Sequence, residues 1–282
     1  GESGRTPFGF WAGGSVSRGD RDPRTGVSGF DFETSGVSAG GDYRLSPSFV
    51  LGGGVGYGRD DTDIGSSGTR SESNAYTVAM YASYHPGERF YLDALLGYQW
   101  LSFDNRRFVT DTGGLVRGER DGKQWLASLA AGMDYRSDRL TFSPYARLDL
   151  ARARLDGYTE QGDPIHALAY NRQDVDTATA NLGLRMDYRH DLSWGMFSPQ
   201  LRLEFQHDFE DDGSATMRYA DLPAGPLYRA LVRSLDQNRT IFGLGFALQT
   251  QHDLRFRVEF RTLFDGDGET DNGFLLNIEK KY

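Results

Sequence analysis

Five histidines, three of them followed directly by Asp, and one acidic run are the residues of this 282-residue chain whose types could support catalysis or hold a metal. His207-Asp208 sets an imidazole beside a carboxylate, the combination a general base uses. Both lie in a segment of alternating apolar and polar residues, where neighbours point to opposite faces, so they cannot act on each other. His85, His190 and His252 fall in short connections and His166 in a long one. No GxSxG, HExxH or phosphate-loop pattern is present. Glu210-Asp211-Asp212 offers the hard oxygens that calcium prefers, although a solvated charge run is the plainer reading. Without cysteine there is neither a disulfide frame nor a thiolate metal site. The expectation is a chain with no catalytic residue, no metal and no cofactor.

The elements that must position these residues are strands. Phe197, Leu201, Leu203, Phe205 and Phe209 share one face, and Gln200, Arg202, Glu204 and Gln206 share the other. Leu254, Phe256, Val258 and Phe260 alternate with Arg255, Arg257 and Glu259 in the same way. A strand with one apolar and one charged face stands between two different solvents. Twelve such segments can be read, near residues 7–17, 29–44, 49–60, 72–84, 89–105, 122–136, 139–156, 173–189, 196–209, 238–250, 254–264 and 273–282. Short connections at 45–48, 85–88, 137–138, 190–195 and 251–253 alternate with long polar ones at 18–28, 61–71, 106–121, 157–172, 210–237 and 265–272. That asymmetry and the even strand number are those of a transmembrane antiparallel up-and-down β-barrel, with short periplasmic turns, long extracellular loops and both termini at the periplasmic side. Tyr43, Tyr84, Tyr135 and Tyr188 precede four of the short turns, where amphipathic rings form an interfacial girdle. A large soluble sandwich also alternates, but its strands usually run about 5–6 residues, half the length of these segments.

Composition agrees with this all-β reading. Mean hydropathy is −0.56, yet alternate positions of a barrel strand are polar, so a low average does not exclude a membrane protein. No run approaches the roughly 18 apolar residues of a membrane helix. A net charge of −9 argues against nucleic acid as a partner. In hydrocarbon each unpaired backbone group costs several kcal/mol, so the sheet must close, and twelve strands leave a lumen that side chains alone do not fill. The residues expected to line it are Asp42, Asp93, Arg147, Asp149, Arg185, Asp187, Arg202, Glu204, Arg255, Arg257, Glu259, Arg261 and Glu279. In the longest loop, Pro226 followed by Leu227, Leu231 and Leu235 suggests a short helix over the pore mouth.

Over about Gly9 to Tyr282 the chain resembles the autotransporter (type V secretion) β-domain, or translocator, family. The resemblance is carried by SGVSAGGDYRLSPSFVLGGGVGYGRDDTD, YLDALLGYQWLSFDNRR, PYARLDLARARLDGYTEQG and ATANLGLRMDYRHDLSWGMFSPQLRLEFQHDFEDD, in that order. It implies a C-terminal outer-membrane barrel, acting as a monomer among outer-membrane lipids, that exports an N-terminal passenger through a linker threading the lumen. Residues 1–6 would then be a residual linker or a cloning remnant and residues 7–282 the barrel, with the passenger outside this chain. In one subgroup the linker is cut inside the barrel after an Asn, and the resemblance assigns that step to no residue here. It also implies a final strand read by the barrel assembly machinery, with Phe274, Leu276, Ile278 and Tyr282 on one face. Lys280 departs from that pattern, and near the rim its charge can snorkel to headgroups.

Two function classes follow. One is a pore and anchor that translocates a passenger. The other is an independent outer-membrane channel, or a barrel enzyme of lipase or protease type.

Overall fold

The computed structural model describes residues 7–23, 28–209, 213–232, 237–265 and 270–281. Twelve long strands form the wall: β1 (Phe8–Arg21), β2 (Phe30–Ser46), β3 (Phe49–Ile64), β4 (Thr69–Tyr84), β5 (Phe90–Val109), β6 (Gly114–Met133), β8 (Leu140–Leu155), β11 (Gln173–Tyr188), β13 (Gly195–Asp208), β16 (Asn238–Thr250), β17 (Leu254–Asp265) and β18 (Thr270–Lys281). Short strands β7 (Tyr135–Ser137) and β12 (His190–Leu192) prolong the hairpins at the short-turn end. Every wall strand is antiparallel to its sequence neighbour, and β1 pairs β18 from Gly9↔Lys281 to Asp20↔Thr270, which closes the barrel. No helix occurs among the described residues.

Burial is inverted relative to a soluble protein. Val37, Val55 and Leu182 are 63%, 61% and 66% exposed, while Glu204 and Asn181 are 1% exposed. The outward face is a continuous apolar band that only hydrocarbon can solvate, and the polar atoms are inside. Near the short-turn end the band finishes in cross-strand ring pairs, Phe8–Tyr43 at 4.8 Å and Phe49–Tyr84 at 6.4 Å between centroids. Tyr135 stands opposite Phe142, and Tyr188 opposite Leu140.

The opposite end differs from the sequence-based expectation in two ways. First, 61–71 and 106–121 are not long loops. Strands β3 and β4 continue to a tight turn that Gly65 and Gly68 complete at φ 63° and 88°, and β5 and β6 run to a turn containing Gly113 at φ 67°. Ion pairs replace apolar burial on this prolonged hairpin: Arg59–Glu72 is 2.8 Å, Arg70–Asp61 3.0 Å and Arg70–Glu72 3.0 Å. Second, the segment at 226–235 is extended rather than helical where it is described. β15 (Tyr228–Val232) pairs β14 (Gly213–Tyr219), placing Arg229 opposite Thr216. The backbone pairing with β14 outweighs the Leu spacing once that partner strand is available. Residues 233–236 and the acidic run Glu210-Asp211-Asp212 lie outside the described residues.

β14 also pairs β10 (Leu168–Tyr170), which pairs β9 (Tyr158–Thr159), giving a four-stranded sheet beyond the barrel rim. It is fixed to the β5–β6 hairpin by Arg117↔Gln161 backbone bonds and by Arg107, whose guanidinium holds Glu160 at 2.6 Å. Between β9 and β10, Asp163 accepts the backbone N–H of His166 and of Ile165, both at 2.9 Å, and these bonds hold its pKa down to about 2. A depressed folded-state value means the stabilisation is complete above the ordinary carboxylate range near 3.9 and is lost as pH falls through about 2. Hydrogen-exchange protection of the His166 and Ile165 amides should therefore be equal at pH 7 and pH 5 and collapse near pH 2. Loss already complete at pH 4 would contradict this role for Asp163.

Candidate functional site

The lumen has two unlike walls. On β1 to β4 the inward positions are small: Gly13, Ser15, Gly54, Gly56, Ala75 and Thr77 border a groove of about 610 Å³. Across it stand Arg202, Arg257 and Glu259. Glycines recur every second residue in β3, at 52, 54, 56 and 58, so the groove is a direct result of strand alternation.

The large inward rings lie over glycines of neighbouring strands. Tyr81 covers Gly52, Tyr91 covers Gly132, Tyr145 covers Gly183 and Trp11 covers Gly40, and in each case a Cβ on the glycine would run into the ring. Glycine inside a strand here marks close side-chain approach. Trp11 Nε1 donates to the Tyr81 hydroxyl at 2.6 Å, joining β1 to β4 across two intervening strands. Tyr81 in turn donates to Asp42 at 3.4 Å.

The charged wall is organised around Glu204. Tyr145 donates to Glu204 Oε2, and Arg147 Nη2 lies 3.1 Å from Oε1. Arg147 Nε also reaches Asp149 at 2.8 Å, which accepts from Ser128 at 2.6 Å and Asn181 at 2.9 Å. Arg202 pairs with Glu259 at 2.7 Å. Asp93 accepts from Ser83, and Asp187 from Gln200. Arg257 faces Arg255 and Arg185, with Asp187 and Glu259 as the nearby acids. Glu279 stands opposite Arg255 in register, and Arg261 lies beside Gly273. Arg255 Nε, Arg257 Nε and Glu259 Oε1 are enclosed without a hydrogen-bond partner among the described residues. Sequence reasoning missed Trp11, Tyr81, Tyr91, Tyr145, Ser128 and Asn181. The alternate glycines were the available signal for the rings they accommodate.

Among the described residues the histidines are not assembled into a catalytic set. His207 Nδ1 is 2.9 Å from Asn238 Oδ1, and its ring packs edge-on to Phe209 on the outer face. His166 sits in the outer loop 3.2 Å from Asp163. His190 pairs with Phe197 at the short-turn end, and His252 lies in the turn before β17. His85 Nε2 is 3.0 Å from Ser83 Oγ, but that hydroxyl gives its hydrogen to Asp93. A nucleophile engaged by a carboxylate, beside an imidazole that no carboxylate orients, is the reverse of a serine triad. No group of three or more His, Asp or Glu side chains with metal-site geometry occurs among the described residues. Phe274, Leu276 and Ile278 share the outward face of β18, whereas Tyr282 lies outside the described residues.

Comparison with known proteins fits this geometry. The family model described as the autotransporter β-domain matches residues 10–261. Esterase EstA of Pseudomonas aeruginosa is 27% identical over 278 residues, covering 95% of this chain and 42% of that protein. Outer membrane protein A of Rickettsia rickettsii is 24% identical over 271 residues, 92% of this chain and 12% of that one. The chain thus spans less than half the length of these curated relatives. The translocator domain of NalP from Neisseria meningitidis superposes with a TM-score of 0.79 at 12% identity, covering 98% of this chain and 89% of that domain. The β domain of the Bordetella autotransporter BrkA gives 0.72 at 19% identity, covering 98% and 100%.

Proposed function

We infer that this chain, which belongs to the autotransporter β-domain family, exports its passenger by seating a linker segment in the lumen groove. The barrel is the outer-membrane pore and anchor of a Gram-negative secretion system. The observation that carries the linker reading is the division of the lumen into a smooth glycine wall and a charged wall. A helix is about 10–12 Å across with its side chains, and it packs closely only where the facing residues are small. Arg202, Arg257 and Glu259 border the same groove and set charged side chains along the path of the threaded segment.

The remaining assignments rest on the same reading. Residues 1–6 are a residual linker or a cloning remnant and residues 7–282 the barrel. The lumen charges, from Asp42 to Glu279, form the pore lining, and the carboxylates among them are structural, so the barrel itself is not an enzyme. The activity in the name of the esterase belongs, in this view, to the part of that protein that the present chain does not cover. Phe274, Leu276, Ile278 and Tyr282 form the signal for the assembly machinery, and Tyr43, Tyr84, Tyr135 and Tyr188 the inner girdle. A closed sheet leaves no unpaired edge, which supports a monomer.

Gly56 tests the groove. A Cβ there would meet its nearest neighbours at 3.4 Å or more, so a larger side chain enters the groove without straining the wall. In the full-length protein Gly56→Trp should reduce surface-exposed passenger by about tenfold, since a helix of about 10–12 Å needs the small residues of this wall to pass. The barrel should still shift on heating in gels as a folded species. Val55→Trp, on the lipid side of the same strand, should export normally. Normal display from Gly56→Trp would refute the assignment.

A further inference from the structure

Three rows of outward-facing residues cross β5, β6, β8 and β11, and their register joins an apolar depression to a basic cluster. The lowest row is Leu96, Ala127, Leu150 and Ala178. Above it stand Tyr98, Trp125, Arg152 and Asp176, and above those Trp100, Lys123, Arg154 and Asp174. Ala127 and Ala178 are too small to continue the surface set by Leu96, Leu150 and Trp125, and a groove of about 300 Å³ results. Tyr98 packs edge-on against both Trp100 and Trp125, at 4.8 Å each, forming a rigid aromatic shoulder.

The level of this cluster follows from the strands. Arg152 is ten residues from Phe142 on the same outward face of β8, as Trp100 is from Phe90 on β5. Ten residues at about 3.3 Å, tilted near 40°, rise about 25 Å, the height of the apolar band of an outer-membrane barrel. The basic row therefore lies at the outer headgroup level. Arg152 reaches Asp176 at 3.5 Å and Arg154 reaches Asp174 at 3.1 Å, both through Nε. The terminal nitrogens of both arginines make no hydrogen bond among the described residues, and Lys123 is exposed between Trp100 and Arg154.

We propose that this face is a binding site for a phosphorylated, multiply acylated glycolipid of the outer leaflet, with acyl chains in the Ala127–Ala178 groove and phosphate on Lys123, Arg152 and Arg154. Guanidinium forks match phosphate oxygens, and an exposed lysine adds a point charge. The width selects the lipid class. The groove of about 300 Å³ takes one chain, and the four strands at about 4.8 Å spacing span about 14 Å, so further chains lie on the apolar rows that flank it. The site is separate from the lumen, so passenger export does not depend on it.

Native mass spectrometry of the detergent-purified barrel, titrated with bis-phosphorylated hexa-acyl lipid A, tests the site. Wild type should take up one copy saturably, and it should bind dephosphorylated lipid A and phosphatidylglycerol at least about tenfold more weakly. Lys123→Gln/Arg152→Gln/Arg154→Gln should lose the preference for phosphate. Ala127→Trp should weaken binding with all charges intact, and it serves as the second probe if the triple variant folds poorly by gel heat-shift. Arg18→Gln, on the same rim at β1, should bind as wild type. Equal uptake of phosphatidylglycerol, or uptake unchanged in both groove and charge variants, would overturn the proposal.

Discussion

Glu204→Leu is expected to lower the unfolding free energy of the barrel by about 3 kcal/mol, because removing one member of a buried ion pair leaves the other uncompensated. Glu204 is 1% exposed and accepts from Tyr145 and Arg147, two residues of β8, across the intervening strand β11. Leucine removes both acceptors at once. Arg147 keeps Asp149 at 2.8 Å, which places the loss at the lower end of the usual 3–5 kcal/mol. Tyr145 has no such reserve, and its hydroxyl stays fixed over Gly183. Glu204→Gln keeps an acceptor for Tyr145 and should cost about half as much. Arg147→Met with Glu204→Leu should recover part of the stability, since apolar groups can replace a buried pair at little net cost, while Tyr145 still lacks its acceptor and Asp149 loses Arg147. Urea titration of barrels refolded in phospholipid vesicles, followed by tryptophan fluorescence, measures all three. Additive losses in the double variant, or a Glu204→Leu barrel within 0.5 kcal/mol of wild type, would remove the network from the account of stability.

The wall of the barrel could be read from the sequence, and the outer crown could not. In the bilayer each strand has an apolar and a polar side, so the segment from Phe197 to Phe209 declares its period without any partner in view. Beyond the rim both faces of a strand meet water. Arg59, Asp61, Asp63, Arg70 and Glu72 are held by cross-strand ion pairs, and a stretch of Asp, Arg, Ser and Gly resembles a loop until its partner is known. The same reason hid β14 and β15, whose pairing supplies a period of two that Leu227, Leu231 and Leu235 alone concealed. Inside the lumen, charge was easy to see and shape was not. Arg147, Asp149 and Glu204 are conspicuous in alternation, but their meeting depends on register. Gly183 sets Tyr145 beside Glu204, and that pairing is fixed only when β8, β11 and β13 are aligned.

Register also sets the depth dependence expected on the outer face. Leu182 lies on β11 six residues from Tyr188 at the short-turn rim and six from Asp176 at the outer headgroup level, so it occupies the middle of the apolar band. Leu182→Arg should destabilise the folded barrel by about 2–4 kcal/mol, the cost of a cation at the bilayer midplane. Tyr188→Arg, at the rim of the same strand, should cost about 0–1 kcal/mol, because the charge reaches the headgroups. Both residues are exposed at 66% and 44%, so burial within the protein predicts little effect from either substitution. Only hydrocarbon outside the barrel separates the two results. Vesicle-refolded variants unfolded in urea give the difference directly. Equal costs at the two positions would mean that the apolar band faces something other than a bilayer, and the membrane-spanning orientation of all twelve wall strands would fall with it.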